Sequence, residues 1–109
     1  MDAVHVLEDP VLISQFAQVA SLAAAHRLPS VGSSEYGQAG GMIGYGVDLM
    51  PQYRRVGYFV DRIDKGAKPA DLPVEQATRF TTVVNLKTAR SLGLKIPQTI
   101  LLRADEVIE

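Results

Sequence analysis

Short apolar runs, two of them rich in β-branched residues, alternate along this chain with longer stretches whose apolar residues recur every three or four positions. That alternation restricts the fold more than any other feature of the sequence. Residues 3–8 (AVHVLE) read as a buried strand ending at Glu8-Asp9-Pro10. Asp9 suits a helix N-cap and Pro10 the first helical position. Residues 11–27 then carry Leu12, Phe16, Val19, Ala20 and Ala23 at helical spacing, which predicts one helix with a single apolar stripe. Its alanines allow a close approach to a sheet, and Leu28-Pro29 ends it.

The same alternation continues. Residues 29–33 (PSVGS) predict a second short strand, 34–39 (SEYGQA) a loop or one helical turn, and 41–46 (GMIGYG) a third strand. Glycine within that third strand points to close approach of another element or a ligand. Residues 49–65 predict a second long helix, with Leu49, Tyr53, Val56, Val60 and Ile63 along one face, Asp48 at its start and Lys65-Gly66 at its stop. A proline-rich connection, AKPADLP, follows. Residues 78–84 predict a strand, 85–92 a short helix capped by Asn85 and ended at Gly93, Pro97 to Leu102 a further turn, and Asp105 to Ile108 a last strand.

This order predicts an α/β fold: a three-layer sandwich with a mostly parallel sheet. Residues 1–76 are expected to form its core, and 77–109 a crossover strand and tail. In parallel sheets ligands bind outside the carboxyl ends of the strands. If the first half of the sheet is parallel, the turns after residues 7, 33 and 45 converge on one rim. They bring Glu8 and Asp9, then Ser33, Ser34, Glu35 and Tyr36, then Tyr45, Gly46 and Asp48. Carboxylates hold an ammonium group, hydroxyls and amides hold a carboxylate, and a tyrosine ring covers an apolar part, so this set suits a small polar or zwitterionic ligand. Each position also has a plainer role. Asp9 is first of all a cap, Asp48 fits cap and contact equally, Glu35 fits a solvated loop, and the two serines fit turn backbone.

Several functions are disfavoured. The formal net charge is −1, so no cationic face for nucleic acid is implied. Arg54, Arg55 and Arg62 are interleaved with Asp61 and Asp64 and read as a solvated helix face. With no cysteine, disulfides, thiol catalysis and thiolate metal sites fall away. His5 sits mid-strand and His26 near a helix end, away from the serines, so a Ser–His–acid arrangement is not expected. No metal spacing, dinucleotide fingerprint or phosphate loop occurs, and no cofactor is expected. The start, Met1-Asp2-Ala3-Val4, lacks the basic and apolar regions of a signal peptide.

The segments LPVEQ, NLKTARSLGLKIP and LLRADEVIE resemble the C-terminal end of bacterial ABC transporter substrate-binding proteins of the TrpX-like type. LEDPVLISQ, AAAHRLPSV, AGGMIGYGVDL, YRRVGYFVDRI and KGAKPADLPVEQ agree in the same order. Ala77, often a proline in that pattern, and Asp64, usually apolar, depart from it. The resemblance implies one lobe of a type I periplasmic-binding fold, whose two lobes close on a solute such as an amino acid. It further implies a binding protein rather than an enzyme, a periplasmic location, and delivery to an ABC permease. The three rim turns would face the cleft. With the other lobe missing, the surface it would cover is expected to be hidden by self-association, by tail exchange in one form. A self-associating α/β interaction module that binds no solute is the alternative.

Overall fold

The computed structural model describes residues 2–109. Five strands form one sheet in sequential order: β1 (Val4–His5), β2 (Ser30–Gly32), β3 (Ile43–Val47), β4 (Phe80–Asn85) and β5 (Glu106–Ile108). β1, β2 and β3 are mutually parallel, with Val4 opposite Ser30 and Val31 opposite Ile43. β4 and β5 are parallel to each other. The Asn85 N–H donates to Met42 O (2.9 Å) and the Asp48 N–H to Arg79 O (3.3 Å). Numbers rise along one strand as they fall along the other, so β4 runs antiparallel to β3. The sheet is therefore mostly parallel, within an α/β fold.

Among the described residues, six α-helices accompany it: α1 (Pro10–Ile13), α2 (Phe16–Ala25), α3 (Ser34–Gln38), α4 (Leu49–Asp64), α5 (Leu86–Ser91) and α6 (Gln98–Arg103). The helix expected over 11–27 is two helices. The Ser14 hydroxyl donates to Val11 O (2.7 Å), and the Gln15 N–H bonds Leu12 O, one residue tighter than an α-helix. The chain restarts at Phe16, which leaves Leu12 outside the core while Phe16, Ala20 and Ala23 are buried. α2 ends through Arg27, whose φ of 53° lets the Leu28 N–H reach back to Ala23 O. No described helix is long and apolar enough to cross a membrane.

Contacts group the chain into two compact units: residues up to Gly46 with Thr81–Glu109, and Val47–Phe80. In the first unit, Val6, Phe16, Ala20 and Tyr36 make one core cluster, between β1, α2 and α3. A second joins Val84, Ala89 and Ile96, with Met42, Ile43, Ile100 and Leu101 packed against it. Consecutive Val83 and Val84 are both fully buried. Val83 lies against Gly37 of α3, and Val84 packs against Ala89 of α5. Side chains alternate faces along a strand, so β4 is covered on both sides, as a three-layer arrangement requires. On the face away from α2 and α3, His5, Val31 and Tyr45 are exposed.

The second unit is built on α4. Arg55 lies over the rings of Tyr58 (4.0 Å) and Phe59 (5.0 Å) and pairs with Glu75 of the returning segment. The Arg55 Nε–H donates to Glu75 Oε2 (2.6 Å). No residue of α4 is buried. The apolar stripe read from the sequence, including Tyr53, Val56, Val60 and Ile63, is 43–65% exposed. The periodicity identified the helix but not what covers it.

Candidate functional site

Because β1, β2 and β3 run parallel, their carboxyl ends share one rim of the first unit. Glycines decide how closely the turns there approach. A Cβ at Gly46 would lie 3.8 Å from Glu8 Oε1 and 3.8 Å from Ser33 Cα. The turns after β1 and β2 thus meet beside the end of β3, with Glu8, Ser33 and Gly46 in one place. Two residues earlier, a Cβ at Gly44 would run into the Ser33 carbonyl oxygen and come within 2.9 Å of Gly37 N. Only glycine lets β3 slide under the start of α3.

The remaining candidates sort by environment. Glu8 and Asp9 are exposed. Asp9 caps α1, accepting from the Val11 N–H (2.9 Å). Ser33 and Ser34 are buried. The Ser33 hydroxyl caps α3, accepting from the Tyr36 N–H (3.4 Å), and the Ser34 hydroxyl donates to Glu35 Oε2 (3.3 Å). Glu35 is half-buried and Tyr45 is 60% exposed. Tyr36, expected at the rim, is fully buried. Its ring meets Phe16 edge-on at 5.3 Å and its hydroxyl donates to Ser30 Oγ (2.8 Å). It anchors α3 from below, because the SEYGQ segment is helical and turns its third residue into the core. Asp48 belongs to the second unit, where it caps α4 and approaches Arg79 at 3.9 Å.

The rim therefore brings the Glu8 carboxylate and Ser33 beside backbone opened by Gly46, with Ser34 and Glu35 following at the start of α3, while the Tyr45 ring stands on the other face of β3. Its carboxylates can accept hydrogen bonds from a cation. Among the described residues no group of three or more His, Asp or Glu side chains could hold a metal. Two concavities of the first unit lie away from this rim, one between α5 and α6 and one between α2 and α5. Sequence reasoning nominated neither. The one usable signal was the absence of any Asp or Glu from residues 86–103.

Solved structures share this architecture. A conserved domain protein from Vibrio cholerae O1 biovar El Tor superposes with a TM-score of 0.90 at 26% identity, over 97% of this chain and 36% of its own. An ABC domain from Streptococcus pneumonia in complex with L-Trp gives a TM-score of 0.88 at 32% identity, over 99% of this chain and 37% of its own. A ligand-free, open substrate binding protein with adhesive properties from Clostridium difficile, at 19% identity and a TM-score of 0.61, shares the fold. The chain spans little more than a third of the length of these structures. No curated protein matches it. The family model described as ABC transporter substrate binding protein matches residues 1–108, in agreement with the motif resemblance. The chain belongs to the ABC transporter substrate binding protein family.

Proposed function

We propose that this chain supplies one wall of a solute-binding cleft and that its rim recognises a small zwitterion of the aromatic amino acid class. The convergence of Glu8, Ser33 and Gly46 carries this reading. The Glu8 carboxylate takes the solute's ammonium group. Ser33, Ser34 and the backbone beside Gly46 take its carboxylate, and the Tyr45 ring meets its apolar side chain from the other face of β3. Asp9 and Glu35 add negative potential, and Tyr36 holds the loop from below. No bond is made or broken, so the chain acts by capture, not catalysis. The relative that binds L-Trp supports this class of solute. In a protein with an opposing lobe, closure would complete the contacts and exclude water before delivery to an ABC permease outside the cytoplasm.

One wall binds weakly, because it orders the solute without burying its far side. A titration of the chain with L-tryptophan, followed by amide NMR, tests the reading. Saturable shifts are expected at Glu8, Ser33, Tyr45 and Gly46 with a dissociation constant of about 1 mM, and Glu8→Gln weakens binding roughly tenfold. Shifts confined to other parts of the chain, or none that saturate, would sink it.

A second reading has its own observation. The exposed stripe of α4 needs a cover, and a second copy of the chain supplies one by pairing the stripes. This is the self-associating interaction module, with or without exchange of the tail from residue 77.

A further inference from the structure

The pocket between α5 and α6 is chemically unlike the rim. It encloses about 600 Å³ and its apolar wall is aliphatic throughout: Leu86, Ala89, Leu94, Ile96, Pro97 and Leu101. Ala89 and Ile96 are buried and form its floor, while Leu94 stands 42% exposed at its lip. The charged residues lining it are Arg90 and Lys95, and no carboxylate lines it. Among the described residues, neither cation has an ion-pair partner.

Charge along the sequence points the same way. Residues 86–103 contain Lys87, Arg90, Lys95 and Arg103 and no acid, in a chain whose formal net charge is −1. The surplus of acids therefore falls on the rest of the molecule. Position separates the pocket from the rim as well. β4 is antiparallel to β3, so α5, which follows β4, starts beside Met42 at the opening end of β3. The rim lies at the other end of that strand.

We propose that this pocket is a second ligand site, for a small aliphatic carboxylate: a hydrocarbon chain on the Ala89–Ile96 floor with its carboxylate between Arg90 and Lys95. The volume is ordinary for a discrete small ligand, and a largely apolar wall with a few charged groups is the usual composition of such sites. The concave shape favours an enclosed chain over a bilayer surface, which needs an outward-facing apolar edge. The aliphatic lining and the paired cations select against a zwitterion, whose ammonium group Arg90 and Lys95 repel.

Octanoate is the probe, with octanamide as its uncharged counterpart, in an amide NMR titration of the whole chain. Saturable shifts at Leu86, Ala89, Ile96 and Leu101 are expected with octanoate. The two cations are solvent-facing and each adds a modest gain, so octanamide binds about fivefold more weakly. The double variant R90Q/K95Q removes that preference without altering octanamide binding, and R90K/K95R retains it. Octanamide binding as tightly as octanoate would overturn the proposal. So would octanoate shifts at Glu8, Ser33 and Gly46 alone, or sedimentation with phosphatidylglycerol vesicles without any saturable response to octanoate.

Discussion

A methyl group added at Gly44 has nowhere to go, because the atoms it meets are backbone: the Ser33 carbonyl, Gly37 N at 2.9 Å and Ser34 Cα at 3.0 Å. At Gly46, two residues on, the nearest atoms stand at 3.8 Å, ordinary contact. Gly44→Ala is therefore expected to cost about 2–3 kcal/mol, and Gly46→Ala to stay within about 0.5 kcal/mol, in urea unfolding. Equal losses would mean that β3 does not pass under α3 as described. In the second unit, the hydrogen bond from Arg55 holds the Glu75 carboxyl below its ordinary value of 4.5, and the same bond raises the guanidinium. A depressed carboxyl stabilises the native state fully above its unfolded value and loses that contribution as pH falls through the depressed one. Arg55→Gln is expected to return the Glu75 titration, followed by carboxyl carbon NMR, to the ordinary range. An unchanged midpoint would show that the pair does not persist in water.

At the scale of elements, α4 is the outlier. Leu49, Tyr53, Val56, Val60 and Ile63 recur at alternating four- and three-residue steps, the pattern of a helix–helix seam, yet none of its residues is buried. A helix held by so few buried contacts opens readily. Its amides are expected to exchange almost unprotected at low protein concentration and to gain protection as concentration rises and copies pair. The V56E/V60E variant should show no such gain. Protection independent of concentration in both proteins would rule out self-association through this stripe. α5 behaves differently because Asn85 ties it down twice, accepting from the Thr88 N–H (3.1 Å) and reaching Gly37 O (3.5 Å).

For the molecule as a whole, element order was legible because each strand and helix carries its own local signal. Short apolar segments marked β1 to β5, valine-rich in β1 and β-branched in β4, and Asp9, Asp48 and Asn85 all cap the helices their positions suggested. Parallel pairing of β1 to β3 followed from the intervening helices, and with it the meeting of Glu8, Ser33 and Gly46. What escaped the sequence was decided by packing at a distance. The break at Ser14 depends on one hydroxyl choosing a local carbonyl, and the burial of Tyr36 depends on Phe16 and Ser30 reaching it from other elements. Periodicity could show that α4 has an apolar side but not whether anything lies against it. The pocket between α5 and α6 was invisible for the same reason, since a concavity belongs to no single segment.

The sequential strand order also has a consequence for synthesis. As the chain leaves the ribosome, β2 finds β1 already made, and β3 finds β2. β4 then arrives only after a long excursion between Val47 and Phe80. At ordinary elongation speeds those roughly 30 residues leave the free edge of β3 waiting on the order of 2–6 s. An unpaired edge is a template for the wrong strand, so those seconds are when a nascent copy is most open to pairing with its neighbour on the same messenger.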